Sequence, residues 1–176
     1  MLLVLTVLLG VFYPAVVWGV GRVGFADQAG GSLVSRDGQV VGSSLLGQKF
    51  TDPRFFQGRP SASEYAGGVS GGSNLATDSD DQLKAVGDRR AAYAATDSGQ
   101  APADAHTASG SGLDPHISPA NARAQAGRVA TANGLDPAEV LRLVATHTQG
   151  RSLGFLGEPR VNVLELNIAV TQLAGS

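Results

Sequence analysis

The stretch MLLVLTVLLGVFYPAVVWGV, residues 1–20, holds 16 hydrophobic residues and no Asp, Glu, Lys or Arg. At 1.5 Å of rise per residue, a helix of this length reaches ~30 Å, the thickness of a hydrocarbon core. Tyr13 and Trp18 are typical of a headgroup layer, and Pro14 is expected to free a carbonyl one turn back and bend the helix. The stretch therefore predicts a transmembrane anchor helix over residues 1–24.

The rival interpretation of this stretch is a cleaved signal peptide, with Gly19 and Gly21 as the small residues before the cut. A signal peptide has a basic n-region and an apolar run of about 7–15 residues. The apolar run here is longer and no basic n-region precedes it, so a retained span is favoured. Orientation stays open on charge alone, because the positive-inside rule finds only the terminal amine and Arg22 near the span.

The remaining residues, 25–176, have the size and composition of one soluble domain. All 28 charged residues of the 176-residue, 17.9 kDa chain lie after position 21. The net charge of −2 and the pI of about 5.8 argue against a nucleic-acid partner. Cysteine is absent, which excludes disulfides and thiolate chemistry. The predicted fold class is α+β: one transmembrane helix, then a single compact mixed α/β domain.

Local signals place the elements of this domain. Asp37-Gly38 favours a hairpin turn within residues 32–44, and residues 50–76, rich in Gly, Ser and Pro, should form a packed loop. Capping signals predict four helices. These run from Ser79 to about Ala95, from Ser118 to Gly134, from Asp136 to Gly150, and from Asn162 through the tail, where a strand over residues 164–170 is the alternative.

Candidate motifs for chemistry are weak. Residues 42–49 mimic a P-loop, but Gln48 stands where the motif requires lysine. The segment Ser70, Gly71, Gly72 and Ser73 resembles the LSGGQ signature of ABC-type nucleotide-binding domains, although a packed turn is the simpler interpretation. Ser111, Asp114 and His116 lie too close in sequence for a hydrolase triad, and the three histidines form no H-E-x-x-H pair. No feature supports an enzyme acting alone, a metal site or an intrinsic cofactor.

Six strings, in this order and at these spacings, are very specific together. They are GSSLLGQKF (residues 42–50), FQGRPS (56–61), SGGSNL (70–75), TASGSGLDPHISP (107–119), RVA (128–130) and GFLGEPRVNVLELN (154–167). They resemble the C-subunit family of the Kdp-type potassium-transporting ATPases over nearly the whole chain.

The resemblance implies a non-catalytic accessory subunit of a bacterial potassium pump, with a single helix in the inner membrane and its domain outside the cytoplasm. The implied partners are a potassium-binding channel-like subunit, a P-type ATPase subunit and a small membrane peptide, together with the lipid bilayer. K⁺ is then the ion carried by the complex, and ATP is reached only through it. The family is also described as a catalytic chaperone that raises the ATP affinity of the hydrolysing subunit.

Two hypotheses follow for the residues involved, beside the alternative of a membrane-tethered extracytoplasmic binding module unrelated to transport. In the first, the domain caps the outer mouth of the potassium-binding subunit through loops 107–116 and 158–162. The expected partner contacts are Arg59, Ser109, Ser111, Asp114, His116, Glu158, Arg160 and Asn162. In the second, Ser70, Gly71, Gly72 and Ser73 bind nucleotide.

Overall fold

The computed structural model describes residues 1–97 and 99–175. The chain divides into two compact units, Met1–Leu45 and Leu46–Ser176. The boundary that the sequence places after residue 24, between anchor and soluble domain, stays a prediction.

The first unit begins with a 23-residue helix, Leu2–Gly24, made of α1 (Leu2–Val7), a wide π-helical turn (Leu8–Phe12) and α2 (Tyr13–Gly24). Pro14 explains the wide turn, because proline lacks an N–H and its ring clashes with the carbonyl four residues back, here that of Gly10. The apolar window of the helix has a mean hydropathy of 2.2 and no buried part. By length and composition this helix can cross a membrane.

The same unit ends in a short helix and a hairpin. Helix α3 (Ala26–Ala29) precedes β1 (Leu33–Arg36) and β2 (Gln39–Ser43), which pair antiparallel. Asp37 and Gly38 have φ of 50° and 78°, the left-handed conformation that a two-residue I′-type turn requires. The hairpin predicted at Asp37-Gly38 is confirmed.

The second unit packs helices on a small antiparallel sheet. Its helices are α4 (Asp80–Thr96), α5 (Ala103–His106), α6 (Pro119–Asn133), α7 (Pro137–Thr146) and α8 (Val163–Ala174). Its strands are β3 (His116–Ile117), β4 (Thr148–Gln149) and β5 (Arg160–Asn162), in the order β3-β5-β4. The mixed α/β fold class is confirmed. The apolar core draws on α6, α7, α8, the sheet and one loop aromatic, and includes Phe56, Ile117, Val129, Val144, Val161 and Leu166.

The predicted helix starts are confirmed at atomic level. The side chains of Ser79, Ser118, Asp136 and Asn162 each accept a hydrogen bond from a backbone N–H of the following first turn. Gly134, with φ of 67°, ends α6 in the left-handed conformation. Each of these signals acts within four residues, so it is independent of the tertiary fold.

Two expectations about helix ends need correction. Helix α7 ends at Thr146 and not at Gly150, because Thr148 and Gln149 leave the helix to pair with Val161 and Arg160 of β5. The strand alternative for residues 164–170 is wrong, since this segment lies within α8. Pairing with β5 explains the early end of α7, whereas the local cap at Asn162 favours a helix over a strand for residues 164–170.

Residues 50–76 contain no helix or strand, as predicted, yet the segment is packed. Phe56 is fully buried, and its backbone pairs with an amide side chain of α8. Its N–H donates to Asn167 Oδ1 at 2.7 Å, and its carbonyl accepts from Asn167 Nδ2 at 3.0 Å. Gln125 of α6 makes the same pair of hydrogen bonds with the backbone of Gln57. Its Oε1 accepts from the Gln57 N–H at 2.8 Å, and its Nε2 donates to the Gln57 carbonyl at 3.1 Å.

Two further side chains of α6 continue this arrangement. Arg128 donates to the carbonyls of Pro53 and Phe55 at 2.7 and 3.1 Å, and Asn133 donates to that of Arg54 at 2.8 Å. We call Gln125, Arg128, Asn133 and Asn167 the backbone clamp. It gives an irregular segment the hydrogen bonds that buried backbone otherwise finds in secondary structure.

Candidate functional site

A polar cleft of about 320 Å³ lies in the second unit where three distant segments meet. The first segment supplies Arg59, the second runs from Asp104 to Ser118, and the third from Glu158 to Arg160. The residues that line the cleft are Arg59, Asp104, Asp114, His116, Ile117, Ser118, Glu158, Pro159 and Arg160.

Strand pairing brings the second and third segments together. His116 of β3 lies opposite Asn162 of β5, and Ile117 lies opposite Val161. The Val163 N–H extends this link by donating to the carbonyl of Pro115 at 2.9 Å. The loops predicted to dock on partners, 107–116 and 158–162, are therefore neighbours in space.

Arg59 and Asp114 form the central ion pair of the cleft. Arg59 Nη1 lies 3.0 Å from Asp114 Oδ2, and both side chains are about a quarter exposed. The other carboxylate oxygen, Oδ1, accepts from the backbone N–H of His116 at 3.0 Å and lies 3.6 Å from His116 Nδ1. Burial by itself raises the pKa of Asp114, but the contacts with His116 and Arg59 outweigh it and hold the pKa below its ordinary value.

Asp104 closes one side of the cleft and anchors the start of α6. Its carboxylate accepts from Ser118 N, Ser118 Oγ and Asn121 Nδ2, at 2.7, 2.9 and 3.1 Å. A carboxylate at a helix N-terminus is also favoured by the helix dipole. No short-range spacing links Asp104 to Ser118, fourteen residues away, so no local sequence signal predicts its role.

The third segment follows a loop whose ends, Arg151 and Glu158, are joined by an ion pair, and Glu158 lines the cleft. Arg151 Nη2 donates to both oxygens of Glu158 at 3.0 and 2.9 Å, and the backbones of Ser152 and Leu156 pair. Leu153, Phe155 and Leu156 project from this loop, which we call the apolar loop (residues 151–158), and are 82%, 70% and 50% exposed. A charged cleft and an exposed apolar loop thus follow one another along the chain.

The loop 107–116 is shaped by its own polar groups. Ser109 is buried, its N–H donates to the carbonyl of Pro60 at 2.8 Å, and its hydroxyl accepts from Gly112 N at 3.1 Å. Gly112 has φ of 69°, and a Cβ there would collide with Ser63 Oγ and lie 2.9 Å from the carbonyl of Gly71. Only glycine fits this position, which makes the loop a preformed surface.

The predicted partner-contact residues divide into two groups. Arg59, Asp114, His116, Glu158 and Arg160 all line the cleft. Three others lie outside its lining: Ser109 and Asn162, which are buried, and Ser111, which is exposed. Asn162 caps α8 through Glu165 N at 3.2 Å, so its visible role is to fix the strand-to-helix junction.

The segment Ser70, Gly71, Gly72 and Ser73 packs on the same loop. The N–H of Gly71 donates to the carbonyl of Ser111 at 2.8 Å, and a Cβ on Gly72 would lie 3.1 Å from the carbonyl of Gly110. The segment does not begin a helix. Its nucleotide-binding role stays a prediction.

The hydrolase-like and metal-binding motifs considered in the sequence can also be compared with the structure. Ser111 Oγ lies 3.2 Å from Ser109 Oγ and accepts from Leu113 N, without a hydrogen bond to His116. Residues 1–97 and 99–175 hold no group of three or more His, Asp or Glu side chains arranged for a metal ion. What the cleft geometry offers chemically is recognition, by paired charges and hydrogen-bond donors on a rigid surface.

Residues 1–97 and 99–175 thus define a class: a chain with one helix long and apolar enough to cross a membrane and a small α/β unit that carries a polar cleft. The family described as K⁺-transporting ATPase, c chain (KdpC), matches residues 1–172. The chain belongs to this family. It is a membrane-associated subunit of a potassium-transporting ATPase, an accessory to the complex.

Named relatives agree across nearly their full length. The potassium-transporting ATPase KdpC subunit of Kineococcus radiotolerans is 57% identical over 180 residues, which cover 99% of this chain and 91% of the relative. That of Sorangium cellulosum is 55% identical, covering 97% and 93%. That of Methylococcus capsulatus is 51% identical, covering 98% and 94%.

Proposed function

We propose that the second unit acts outside the cytoplasm as the docking module that holds a potassium-transporting complex together, with the cleft as its contact surface. The partners in this proposal are a channel-like potassium-binding subunit, whose outer mouth the domain caps, a P-type ATPase subunit and a small membrane peptide. The anchor helix keeps the module at the bacterial inner membrane. A single helix encloses no pore, so the ion path belongs to the partners.

The observation that carries the proposal is the convergence of the two predicted docking loops with Arg59 in one cleft. Loops 107–116 and 158–162 are over forty residues apart in sequence, yet β3 and β5 align them side by side. Gly112 and the buried Ser109 hold the first loop rigid, so docking costs little conformational entropy. Five of the eight residues named from sequence line the cleft.

Cysteine protection tests this proposal cleanly, because the chain has no cysteine of its own. Glu158→Cys places a thiol at the cleft, and Gln172→Cys places one on an exposed turn of α8 as the matched control. Maleimide should label both variants in the isolated chain, but only Gln172→Cys in the assembled complex. Equal labelling of Glu158→Cys in both states contradicts docking through the cleft.

Maleimide labelling also tests on which side of the membrane the second unit lies. A membrane-impermeant maleimide should label Ala76→Cys, on an exposed stretch of the second unit, in cells whose inner membrane is sealed and whose outer face is accessible. Labelling only after the membrane is opened would place the domain in the cytoplasm and reject the proposed topology.

The catalytic-chaperone role is the second candidate and rests on Ser70, Gly71, Gly72 and Ser73. Its physical difficulty is that ATP is in the cytoplasm, whereas the proposed domain is outside it. The contacts of Gly71 and Gly72 with residues 110 and 111 favour a packing role for this turn. Labelling by a photoreactive ATP analogue that is lost in Gly71→Val would support nucleotide binding, and labelling that survives would reject it.

A further inference from the structure

Arg160 is the one cleft cation whose guanidinium has neither an ion pair nor a hydrogen bond within residues 1–97 and 99–175. It lies on the central strand β5, is partly buried, and its Nε is shielded from solvent without a hydrogen-bond partner. A buried donor left without a hydrogen-bond partner destabilises the folded state. An arrangement of this kind calls for a ligand.

The neighbouring acids are already engaged. Asp114 pairs with Arg59, Asp104 accepts three hydrogen bonds from Ser118 and Asn121, and Glu158 pairs with Arg151. None of these carboxylates lies within ion-pair distance of Arg160. Among residues 1–97 and 99–175, no acceptor therefore serves the Arg160 guanidinium.

We propose that Arg160 receives a carboxylate side chain of another subunit of the complex, seated in the cleft beside the apolar loop. The inference rests on the proposed docking function and names the chemistry of the docked group. A guanidinium fork matches a carboxylate through two parallel N–H···O bonds, which adds orientation as well as charge.

Two observations favour a protein carboxylate over a phosphate. The apolar loop ends at Glu158, which lines the cleft, and exposes three large apolar side chains of which a free inorganic anion makes no use. Binding to an anionic lipid surface requires a cluster of several basic side chains, whereas Arg59 is already paired with Asp114, which leaves Arg160 as a site for a single carboxylate. At a protein interface, contacts that surround a strongly binding residue exclude water from it, and exposed apolar side chains can make such contacts.

The test compares complexes co-expressed with the full chain carrying Arg160→Gln, Arg160→Lys or Arg160→Glu. The affinity of the chain for the remaining subunits should fall about 30-fold or more for Arg160→Gln, in keeping with the loss of one member of a desolvated pair. Arg160→Lys should retain part of this affinity, and Arg160→Glu should lower it the most. Arg123→Gln, at an exposed arginine of α6, is the matched control and should leave affinity unchanged.

A charge-reversal screen identifies the source of the carboxylate. Each outward-facing Asp or Glu of the partner subunits is changed to Arg against Arg160→Glu, and one such change should restore assembly. If assembly is lost in Arg160→Glu and no charge reversal in a partner restores it, the proposal that Arg160 binds a protein carboxylate is wrong. Unfolding of each variant by circular dichroism separates loss of docking from loss of fold.

Failure of this inference is distinguishable from failure of the docking function. If Arg160→Gln assembles normally while Glu158→Cys remains protected in the complex, the cleft docks but Arg160 is not the carboxylate receptor. If Glu158→Cys is labelled equally in both states, docking through the cleft itself is wrong.

Discussion

The backbone clamp and the cleft lie in the same unit and use the same kinds of side chain, yet they differ in how completely their polar groups are paired. In the clamp, every buried side-chain nitrogen and oxygen of Gln125, Arg128, Asn133 and Asn167 has a hydrogen-bond partner. In the cleft, Nε of both Arg59 and Arg160 has none within the part of the chain that the structure describes. Complete pairing is typical of stability, and incomplete pairing at a surface cleft is typical of a site that awaits a partner.

The clamp also shows how a segment without regular structure is held in a core. Phe56 packs among helices and strands, while Asn167 and Gln125 take the place of neighbouring strands for the backbone of residues 56 and 57. A buried polar network of this kind fixes one arrangement, because every alternative leaves a group unbonded. The loop can then hold Arg59 at the cleft.

The largest expected effect follows from breaking the clamp at Arg128. Its Nε lies 2.7 Å from Asp97 Oδ1, and the two side chains are only 10% and 3% exposed. Arg128→Met leaves this carboxylate buried without a cation and removes the donor to Pro53 and Phe55. We expect the free energy of unfolding to fall by about 3–5 kcal/mol, measured by urea unfolding of the full chain in detergent.

Arg123 on the same helix provides the control, since it is exposed and makes no such contact. Arg123→Met should change the free energy of unfolding by less than about 0.5 kcal/mol. A loss under about 1 kcal/mol in Arg128→Met would mean that the pair behaves as an exposed one, and the contrast between clamp and cleft would disappear.

Tyr65 packs on the segment that carries Arg59, and its substitution is expected to have the next largest effect on stability. Its hydroxyl donates to the carbonyl of Arg59 at 2.6 Å, and its ring fills space that a Cβ on Gly47 or Gly58 would occupy. Burial, followed by the charge of Asp114, raises its pKa to about 12. Tyr65→Phe removes one hydrogen bond, so we expect a loss of about 1 kcal/mol at neutral pH.

The raised pKa of Tyr65 also predicts how the stability of the fold changes at high pH. The folded chain holds this proton more tightly than the unfolded chain, so the stabilisation is complete below pH 10 and is lost as pH rises from 10 towards 12. An ultraviolet absorbance titration of the wild type minus Tyr65→Phe should show one phenol with a pKa of about 12. A difference curve centred at 10 would contradict the burial of this hydroxyl.

A structural feature could be predicted from the sequence when the residues that form it are close together in the chain. The caps at Ser79, Ser118, Asp136 and Asn162 and the turn at Asp37 were predictable because each joins residues within a few positions. The bond between Asn167 and Phe56 spans 111 residues, and no local pattern announces it. The early end of α7 has the same cause, since β4 forms only when β5 is beside it.

The candidate site shows the same division. Resemblance to known sequences named both docking loops and five of the cleft residues, but not that β3 and β5 place them side by side. Asp104 was missed because its partners, Ser118 and Asn121, belong to another element. Ser109 and Asn162 are buried in this chain, and their role as partner contacts stays a prediction.

The smallest effect is expected in the cleft, from Asp114, and only in acid. Its pKa lies below the ordinary 3.8 because the contacts with His116 and Arg59 outweigh the effect of burial, so the unfolded chain binds its proton more readily than the folded chain. The stabilisation is therefore complete above about pH 4 and is lost as pH falls through the folded-state pKa. Urea unfolding between pH 5 and acid should show the wild type losing stability more steeply than Asp114→Asn, while the two keep a constant difference above pH 5. Parallel pH profiles would mean that the contacts of Asp114 with His116 and Arg59 contribute nothing to folding.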